Sequence, residues 1–362
     1  MPTTVSTWFW VVTTFLFGVS IGSFLNVVIY RLPRASATLN LAKPASSFCP
    51  NCSHQLTAAD LIPLLSFLAL GRRCRSCKQP ISSRYFWVEL LTGLVFVVLY
   101  LHFLQDIPNA VALILFTAVL IPIFFIDLAT FEIQTSLNLL IFVIAVGRDV
   151  GGIALHEPDH ALLWGWLPRS LFGAAVGIAI FGVIRISGWL WRGVEAMGLG
   201  DVLLARAMGA MLVSVVPIGM NPARLIPIWV LFSCFSGIVV GPALILFRRR
   251  QEKTSKVTSE TETEATEEPE EDFGREGTFG QQIMDIGYCF WLGDAVEYVY
   301  CLFAGLRGKP CEEVPFDDSV PAPTAIPFGP FLVIGFLATV FWGEWVTAAY
   351  LAYAIPHSPP LP

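Results

Sequence analysis

Residues 195–201 read Glu-Ala-Met-Gly-Leu-Gly-Asp and stand at the start of a long apolar run. An acid at the edge of a membrane segment is costly, so Asp201 is a candidate functional group. Gly198 and Gly200 would let the backbone turn sharply and approach a substrate chain, and Glu195 begins the same motif. An Asp at a helix start is also a common cap, because its side chain accepts a backbone N–H. Both roles are open for Asp201.

A second acid, Asp127, stands at the end of another apolar run. The C-terminal end of a helix disfavours an anion, so capping does not account for this residue. A boundary acid that reaches back to water is the structural alternative. Two carboxylates in one site can work together, one taking a proton from water while the other donates to a peptide carbonyl. Asp127 and Asp201 therefore predict peptide hydrolysis by water attack, since no paired Ser or Cys nucleophile is evident.

Two C-x-x-C pairs form the most specific motif in the chain. They are Cys49 with Cys52 and Cys74 with Cys77, and 21 residues separate the pairs. Four thiolates at this spacing supply a closed tetrahedral site, as in a structural zinc knuckle. Metal binding would also supply folding energy to so short a polar segment. We predict a structural Zn²⁺ site at these four cysteines, with reversible dithiols as the alternative.

The composition is that of a membrane protein. Of the 362 residues, 55% are hydrophobic and only 14% are charged, whereas about 25% of residues are charged in soluble domains. There is no basic patch with interleaved aromatic residues, so nucleic-acid binding has no support. The expected surroundings of the chain are therefore a lipid bilayer.

Eight apolar runs are long enough to cross a bilayer, whose core needs about 20 helical residues. They are 8–30, 86–104, 108–126, 136–155, 168–187, 202–219, 226–247 and 330–355. The loop at 31–85 carries eight basic residues and one acid, which by the positive-inside rule makes it cytoplasmic and places the N-terminus outside. The predicted fold is an all-α polytopic membrane protein of about eight transmembrane helices, with a small zinc-binding cytoplasmic module.

Counting spans from the first helix assigns both acids to one face of the membrane. The third span ends on the cytoplasmic side at Asp127, and the sixth begins there at Asp201. The three arginines at 248–250 close the seventh span, again on the cytoplasmic side, in agreement with the charge rule. We therefore predict an acid pair at the cytoplasmic edge of the membrane.

The chain divides into five predicted regions. These are a first transmembrane helix (1–30), a cytoplasmic Cys₄ module (31–85), a transmembrane core of helices two to seven with both acids (86–247), an acidic insertion (248–325) and a last helix with a Pro-rich tail (326–362). Residues 253–272 are rich in Thr, Ser and Glu, which favours a solvated linker. Residues 283–305 are apolar with an acidic edge, which predicts an interfacial helix and leaves a further span open.

At these motifs the chain resembles the bacterial prepilin peptidases, or type IV leader peptidases, a branch of the GxGD membrane aspartic proteases. The resemblance covers most of the chain. It runs in order through residues 22–33, the two cysteine pairs with 60–66 between them, 84–85, 89–93, 126–128, 195–201 and 327–331. A GxGD element alone is a weak signal, but the ordered set is very specific.

The resemblance implies that Asp127 and Asp201 are the catalytic aspartates of a protease in the bacterial inner membrane. The substrates would be prepilins and pseudopilins of type IV pilus or type II secretion systems. Their short basic leader would be cut after a glycine, on the cytoplasmic side. Typical members also methylate the new amino terminus with S-adenosylmethionine, and the zinc module is linked to that activity. No residue pattern in the chain identifies a methyl-donor site or an oligomeric state.

Three features depart from the family's pattern. Gln134 and Thr135 stand where members often have Pro-Asp, Leu203 stands where Lys is usual, and ordinary members lack the acidic insertion at 251–276. These departures motivate an alternative hypothesis, a membrane scaffold or assembly factor of the same fold that has lost turnover. The presence of both aspartates favours the peptidase.

Overall fold

The computed structural model describes residues 4–34, 41, 46–157, 162–163, 167–192, 197–215, 225–259 and 327–354. Within these ranges the chain is mainly helical, as the composition predicts. It divides into two compact units, residues 1–129 and residues 130–362.

The described part of the first unit is built from helices and a small loop module. The helices are α1 (Thr4–Arg31), α2 (Leu65–Ala69), α3 (Arg84–His102) and α4 (Ile107–Thr130), with 3₁₀ turns at Leu32–Arg34 and Ala58–Leu61. Helices α1 and α3 pack side by side. A Cβ added at Gly18 would lie only 2.8 Å from the Cα of Gly93. Small residues therefore set the close spacing of these two helices.

The described part of the second unit contains five helices and one short hairpin. In chain order these are α5 (Thr135–Ala154), β1 (Leu162–Leu163), β2 (Leu167–Pro168), α6 (Arg169–Arg192), α7 (Leu199–Ser214), α8 (Leu225–Ser259) and α9 (Gly329–Ala354). The two strands are antiparallel, and Leu163 pairs with Leu167. The hairpin leads directly into α6.

Helix α7 is the buried helix of the second unit. Every residue from Val202 to Ser214 is buried, and α5, α6, α8 and α9 all contact the helix. Gly173 of α6 lies against the carbonyl oxygen of Gly209, so the backbones of α6 and α7 touch. A helix that is apolar on all sides must be covered on all sides. The surrounding helices therefore fix the position of α7 and of the motif at its start.

Seven described helices are long and apolar enough to cross a membrane: α1, α3, α4, α5, α6, α8 and α9. This confirms an all-α polytopic fold. The predicted span at 202–219 is not confirmed, because α7 has only 16 residues and ends at Ser214. Residues 216–219, which complete that span, lie outside the described part of the chain.

Two helix ends differ from the sequence prediction. Helix α4 continues to Thr130, so Asp127 lies in its last turn and does not close it. Helix α8 continues to Ser259, so the start of the predicted solvated linker is helical. Hydropathy marks where the apolar face ends, whereas backbone hydrogen bonding continues through polar helix formers such as Glu and Lys. Most of the acidic insertion, including 283–305, lies outside the described residues.

Candidate active site and metal centre

Asp127 is a buried carboxylate in the last turn of α4. Only 3% of its surface is exposed, and its neighbours Ile123 and Ile126 on the same helix are buried as well. Acids are almost never fully buried unless they are paired or functional. The burial of Asp127 argues against a boundary acid that reaches water.

Asp201 is the third residue of α7, and the N-cap of this helix is Gly198. The interpretation of Asp201 as the N-cap is therefore wrong. Asp201 is half-buried and lies in the first turn, where the positive end of the helix dipole favours an anion. A Cβ at Gly198 would lie 3.6 Å from Oδ2 of Asp201, so the carboxylate folds back toward the turn. Glu195, at the start of the motif, lies outside the described residues.

The two glycines of the motif have different structural roles. Gly198 has φ −64° and ψ 153°, which any residue adopts, so its backbone conformation does not require glycine. A Cβ at Gly200 would lie 3.1 Å from Cβ of Ile133, which is tighter than ordinary van der Waals contact. The close approach of the segment before α5 therefore explains the glycine at position 200.

Two buried polar side chains hold the turn that precedes Asp201. Arg185 of α6 donates from Nη1 to the carbonyl oxygen of Met197 at 2.8 Å, and Asn138 of α5 donates from Nδ2 to the carbonyl oxygen of Gly200 at 3.3 Å. Both side chains are buried. The sequence prediction missed both residues. The only signal for them was a polar residue inside an apolar span, which marks a functional candidate.

The remaining departures from the family pattern occupy ordinary structural positions. Gln134 is the N-cap residue of α5, and Thr135 is its first helical residue. Leu203 is buried in α7. None of the three replaces Asp127 or Asp201. The two aspartates belong to different units, so their pairing stays a prediction.

The four predicted cysteine ligands come together in the first unit. The sulfur atoms of Cys49, Cys52, Cys74 and Cys77 all lie within 4.8 Å of one another, and Sγ of Cys49 is 3.9 Å from Sγ of Cys77. Ligands of a tetrahedral zinc with Zn–S bonds of about 2.3 Å would be separated by about 3.8 Å. The cluster fits a metal ion of this type.

Two turns of the same design position these cysteines. In each turn the residue after the second cysteine has a positive φ, 56° at Ser53 and 61° at Lys78. Its backbone N–H donates to the carbonyl oxygen of the first cysteine, at 2.9 Å in the first turn and 3.1 Å in the second. The bridges Phe48–Gln55 and Arg73–Pro80 close the two turns. The backbone hydrogen bonds of each turn therefore orient the two thiols of a pair toward the same point.

The thiols differ in how readily they ionise. Backbone N–H groups of Cys77 and Ser76 lower the pKa of the Cys74 thiol to about 7. The backbone N–H of Gln79 lowers the pKa of the Cys77 thiol, but burial and hydrogen bonds with the other three cysteines together raise it to about 11. A bound cation would favour the thiolate form of all four groups. The cluster is thus a candidate structural metal centre.

Two family models match the chain. The model of the bacterial Peptidase A24 N-terminal domain matches residues 16–103, which include the cysteine cluster. The model of the type IV leader peptidase family matches residues 114–242, which include both aspartates. No solved structure gives a significant match.

Several curated proteins share most of their length with this chain, and each is named Prepilin leader peptidase/N-methyltransferase. The protein of Myxococcus xanthus is 34% identical to this chain, and the alignment covers 92% of this chain and 90% of the relative. The protein of Stutzerimonas stutzeri is 27% identical, and the alignment covers 95% of this chain and 94% of the relative. The protein of Aeromonas hydrophila is 34% identical over 68% of this chain. The chain belongs to the type IV leader peptidase family.

Proposed function

We propose that this protein is a membrane aspartic endopeptidase. It removes the short basic leader from type IV prepilins and pseudopilins and then methylates the new amino terminus. The observation that carries the proposal is the relative from Myxococcus xanthus, named for both activities, which is 34% identical over nine-tenths of each chain. The alternative of a scaffold without turnover is not favoured, because the relatives are named as enzymes and both acids are present.

Helix counting supports Asp127 and Asp201 as the catalytic pair. Two helices of membrane-spanning length, α5 and α6, separate the end of α4 from the start of α7. Two crossings return a chain to the face from which it started. This parity does not depend on whether α7 crosses the membrane, so both carboxylates belong to one face in this proposal.

The reaction needs one ionised and one protonated aspartate. The ionised carboxylate takes a proton from a water, whose oxygen attacks the peptide carbonyl carbon, while the protonated carboxyl donates to the carbonyl oxygen. When the resulting tetrahedral intermediate collapses, the C–N bond breaks and the leaving amine takes up a proton. The hydrogen bonds from Asn138 and Arg185 to the turn support a fixed position for Asp201 in this cycle.

In the proposed orientation the N-terminus is outside, and the active site and Cys₄ module face the cytoplasm of a bacterium. The excess of basic residues at 31–85 supports this orientation. The four cysteines would hold a Zn²⁺ whose role is structural, because four protein ligands leave no position for substrate. The methyl donor in this proposal is S-adenosylmethionine.

Two substitutions test the aspartate mechanism. In purified protein with a leader-bearing prepilin, Asp127→Asn and Asp201→Asn should each reduce cleavage by at least about a thousandfold, because each removes one half of the acid–base pair. Glu344→Gln is the matched control, since Glu344 is an exposed carboxylate in the spanning part of α9. Wild-type cleavage by either Asp→Asn variant would refute the mechanism, and absence of turnover by the native protein would favour the scaffold.

A further inference from the structure

The loop between α4 and α5, residues 131–134, lies against the turn that carries Asp201. A Cβ added at Gly200 would lie 3.1 Å from Cβ of Ile133 in this loop. Asn138, in the first turn of α5, donates to the carbonyl oxygen of Gly200 at 3.3 Å. These residues all belong to the second unit. The two contacts hold the loop beside Asp201, and the peptidase mechanism makes no use of the loop's own side chains.

The chain takes an unusual backbone conformation just before residue 132. Phe131 has a φ of 62°, in the left-handed region that bulky side chains rarely adopt. Outliers of this kind cluster at functional sites. Ile133 is half-buried, whereas Glu132 between these two residues is exposed. Within the described part of the chain, Glu132 makes no ion pair. The turn therefore presents a carboxylate to solvent next to the motif.

The charge of this loop is unusual for the side of the membrane proposed for it. Between Arg84 and Arg148 the sequence contains no Lys or Arg, and Glu132 is the only acid between Asp127 and Asp149. Cytoplasmic loops normally carry an excess of Lys and Arg. A cationic loop would repel a basic leader peptide, whereas an anionic one attracts it. The absence of cations and the exposed acid both suit a basic substrate.

The position of the loop limits which part of a substrate Glu132 can reach. The close approach of Ile133 to Gly200 keeps Cα of Glu132 within about 14 Å of Cα of Asp201, because consecutive Cα atoms are about 3.8 Å apart. An extended peptide advances about 3.5 Å per residue, so this distance corresponds to about four residues. Glu132 is therefore placed to contact a side chain close to the cleaved bond.

We propose that Glu132 is a specificity-determining residue that binds a Lys or Arg of the leader, within about four residues of the cleaved bond. The inference rests on the proposed cleavage of basic leaders and deepens it. The ammonium or guanidinium group of the leader pairs with the exposed carboxylate while the peptide bond lies at the aspartates. An exposed pair is weak and is screened by salt, so it gives a several-fold preference for basic leaders.

A charge exchange between enzyme and substrate tests this assignment. The full-length protein, in a non-ionic detergent that supplies no charged lipid, is given two prepilins. One has its basic leader, and the other has each leader Lys and Arg replaced by Glu, with the glycine at the cut kept. The ratio of their kcat/KM values measures the preference. Glu132→Gln should lower this ratio by about two- to fivefold, and Glu132→Lys by about fivefold or more.

Two control variants separate this contact from a general effect of charge. Glu132→Asp keeps the carboxylate and should keep most of the native preference. Leu155→Lys adds a cation at an exposed position in the loop after α5, which the proposed orientation assigns to the outside, and should leave the ratio unchanged. The effect of Glu132→Gln should also shrink at high salt, because salt screens exposed charges.

The ratio of two substrates on one enzyme keeps the test valid if a variant folds poorly, because a smaller active fraction cancels. The native ratio in both Glu132→Gln and Glu132→Lys overturns the inference, even if kcat falls. An equal change in Leu155→Lys also overturns it, since the effect would then follow net charge. A native protein that cleaves neither prepilin refutes the proposed function and this inference with it. Cleavage with an unchanged ratio in the Glu132 variants refutes this inference alone.

Discussion

Two polar side chains within apolar helices hydrogen-bond the backbone next to Asp201, the candidate aspartate on α7. Asn138 and Arg185 come from two different helices, and each donates to a carbonyl oxygen of the turn at 197–200. Loss of one such hydrogen bond costs about 0.5–1.5 kcal/mol. The same loss would free the turn to move. A displacement of about 1 Å at a reacting group can reduce a rate about a hundredfold.

The first prediction concerns Asn138. Asn138→Leu should lower kcat for leader cleavage by about ten- to a hundredfold with little change in KM, because the turn before Asp201 loses a donor. Steady-state kinetics of purified protein measure both constants. Asn109→Leu is the matched control, since Asn109 is buried too but hydrogen-bonds Asp106 at the start of α4. Equal kcat losses in both variants would indicate general destabilisation instead of positioning.

At the scale of elements, the cysteine module depends on its two turns more than on a core. The module has few buried apolar residues, among them Phe67 and the cysteines Cys49 and Cys74. Segments with so little core usually need a metal or disulfides to fold. The capping box of Thr57 and Asp60 and the ion pair of Asp60 with Arg75 add local order. These bonds also lower the pKa of the Asp60 carboxyl, with those from Thr57 contributing most.

The second prediction concerns the metal. Protein purified without chelator should contain one zinc per chain by elemental analysis, and Cys74→Ser should lose most of it, because three sulfur ligands no longer close the tetrahedron. Cys234→Ser should keep the native content, since Cys234 is an exposed cysteine on α8 outside the cluster. Metal-free native protein would instead support reversible dithiols.

At the scale of the whole molecule, the order of crossings decides which residues share a membrane face. Helices α5 and α6 are both of spanning length, and the loop with the β1–β2 hairpin connects them. The loop between α4 and α5 and the loop between α5 and α6 should therefore lie on opposite sides. The chain is a multi-pass protein, and the proposed orientation assigns the first of these loops to the cytoplasm.

The third prediction tests this orientation. In spheroplasts, Leu155→Cys should react with a membrane-impermeant thiol reagent, because residue 155 is exposed in the loop assigned to the outside. Glu132→Cys, also exposed, should react only after the membrane is permeabilised. The native protein gives the background from its own cysteines. The reverse pattern would invert the orientation and remove the cytoplasmic assignment of the active site.

Local features of the site could be predicted from the sequence because neighbouring residues determine them. The two cysteine pairs each lie on one tight turn, so spacing alone predicted a cluster that the structure confirms. The spanning helices were predictable because a bilayer demands about 20 apolar residues at each crossing. For α7 the predicted span is not confirmed. Other helices bury its residues from Val202 to Ser214, and composition does not separate protein burial from lipid contact.

The sequence by itself determined the membrane class of this protein, its cysteine cluster and its two candidate aspartates, since each depends on residue type and local spacing. Only the tertiary structure decided which groups surround them. Asn138 reaches Gly200 across 62 positions, and Glu89 receives the N–H of Leu64 across 25. Such contacts depend on how helices pack, and packing is set by shape complementarity between distant segments, which no local pattern encodes.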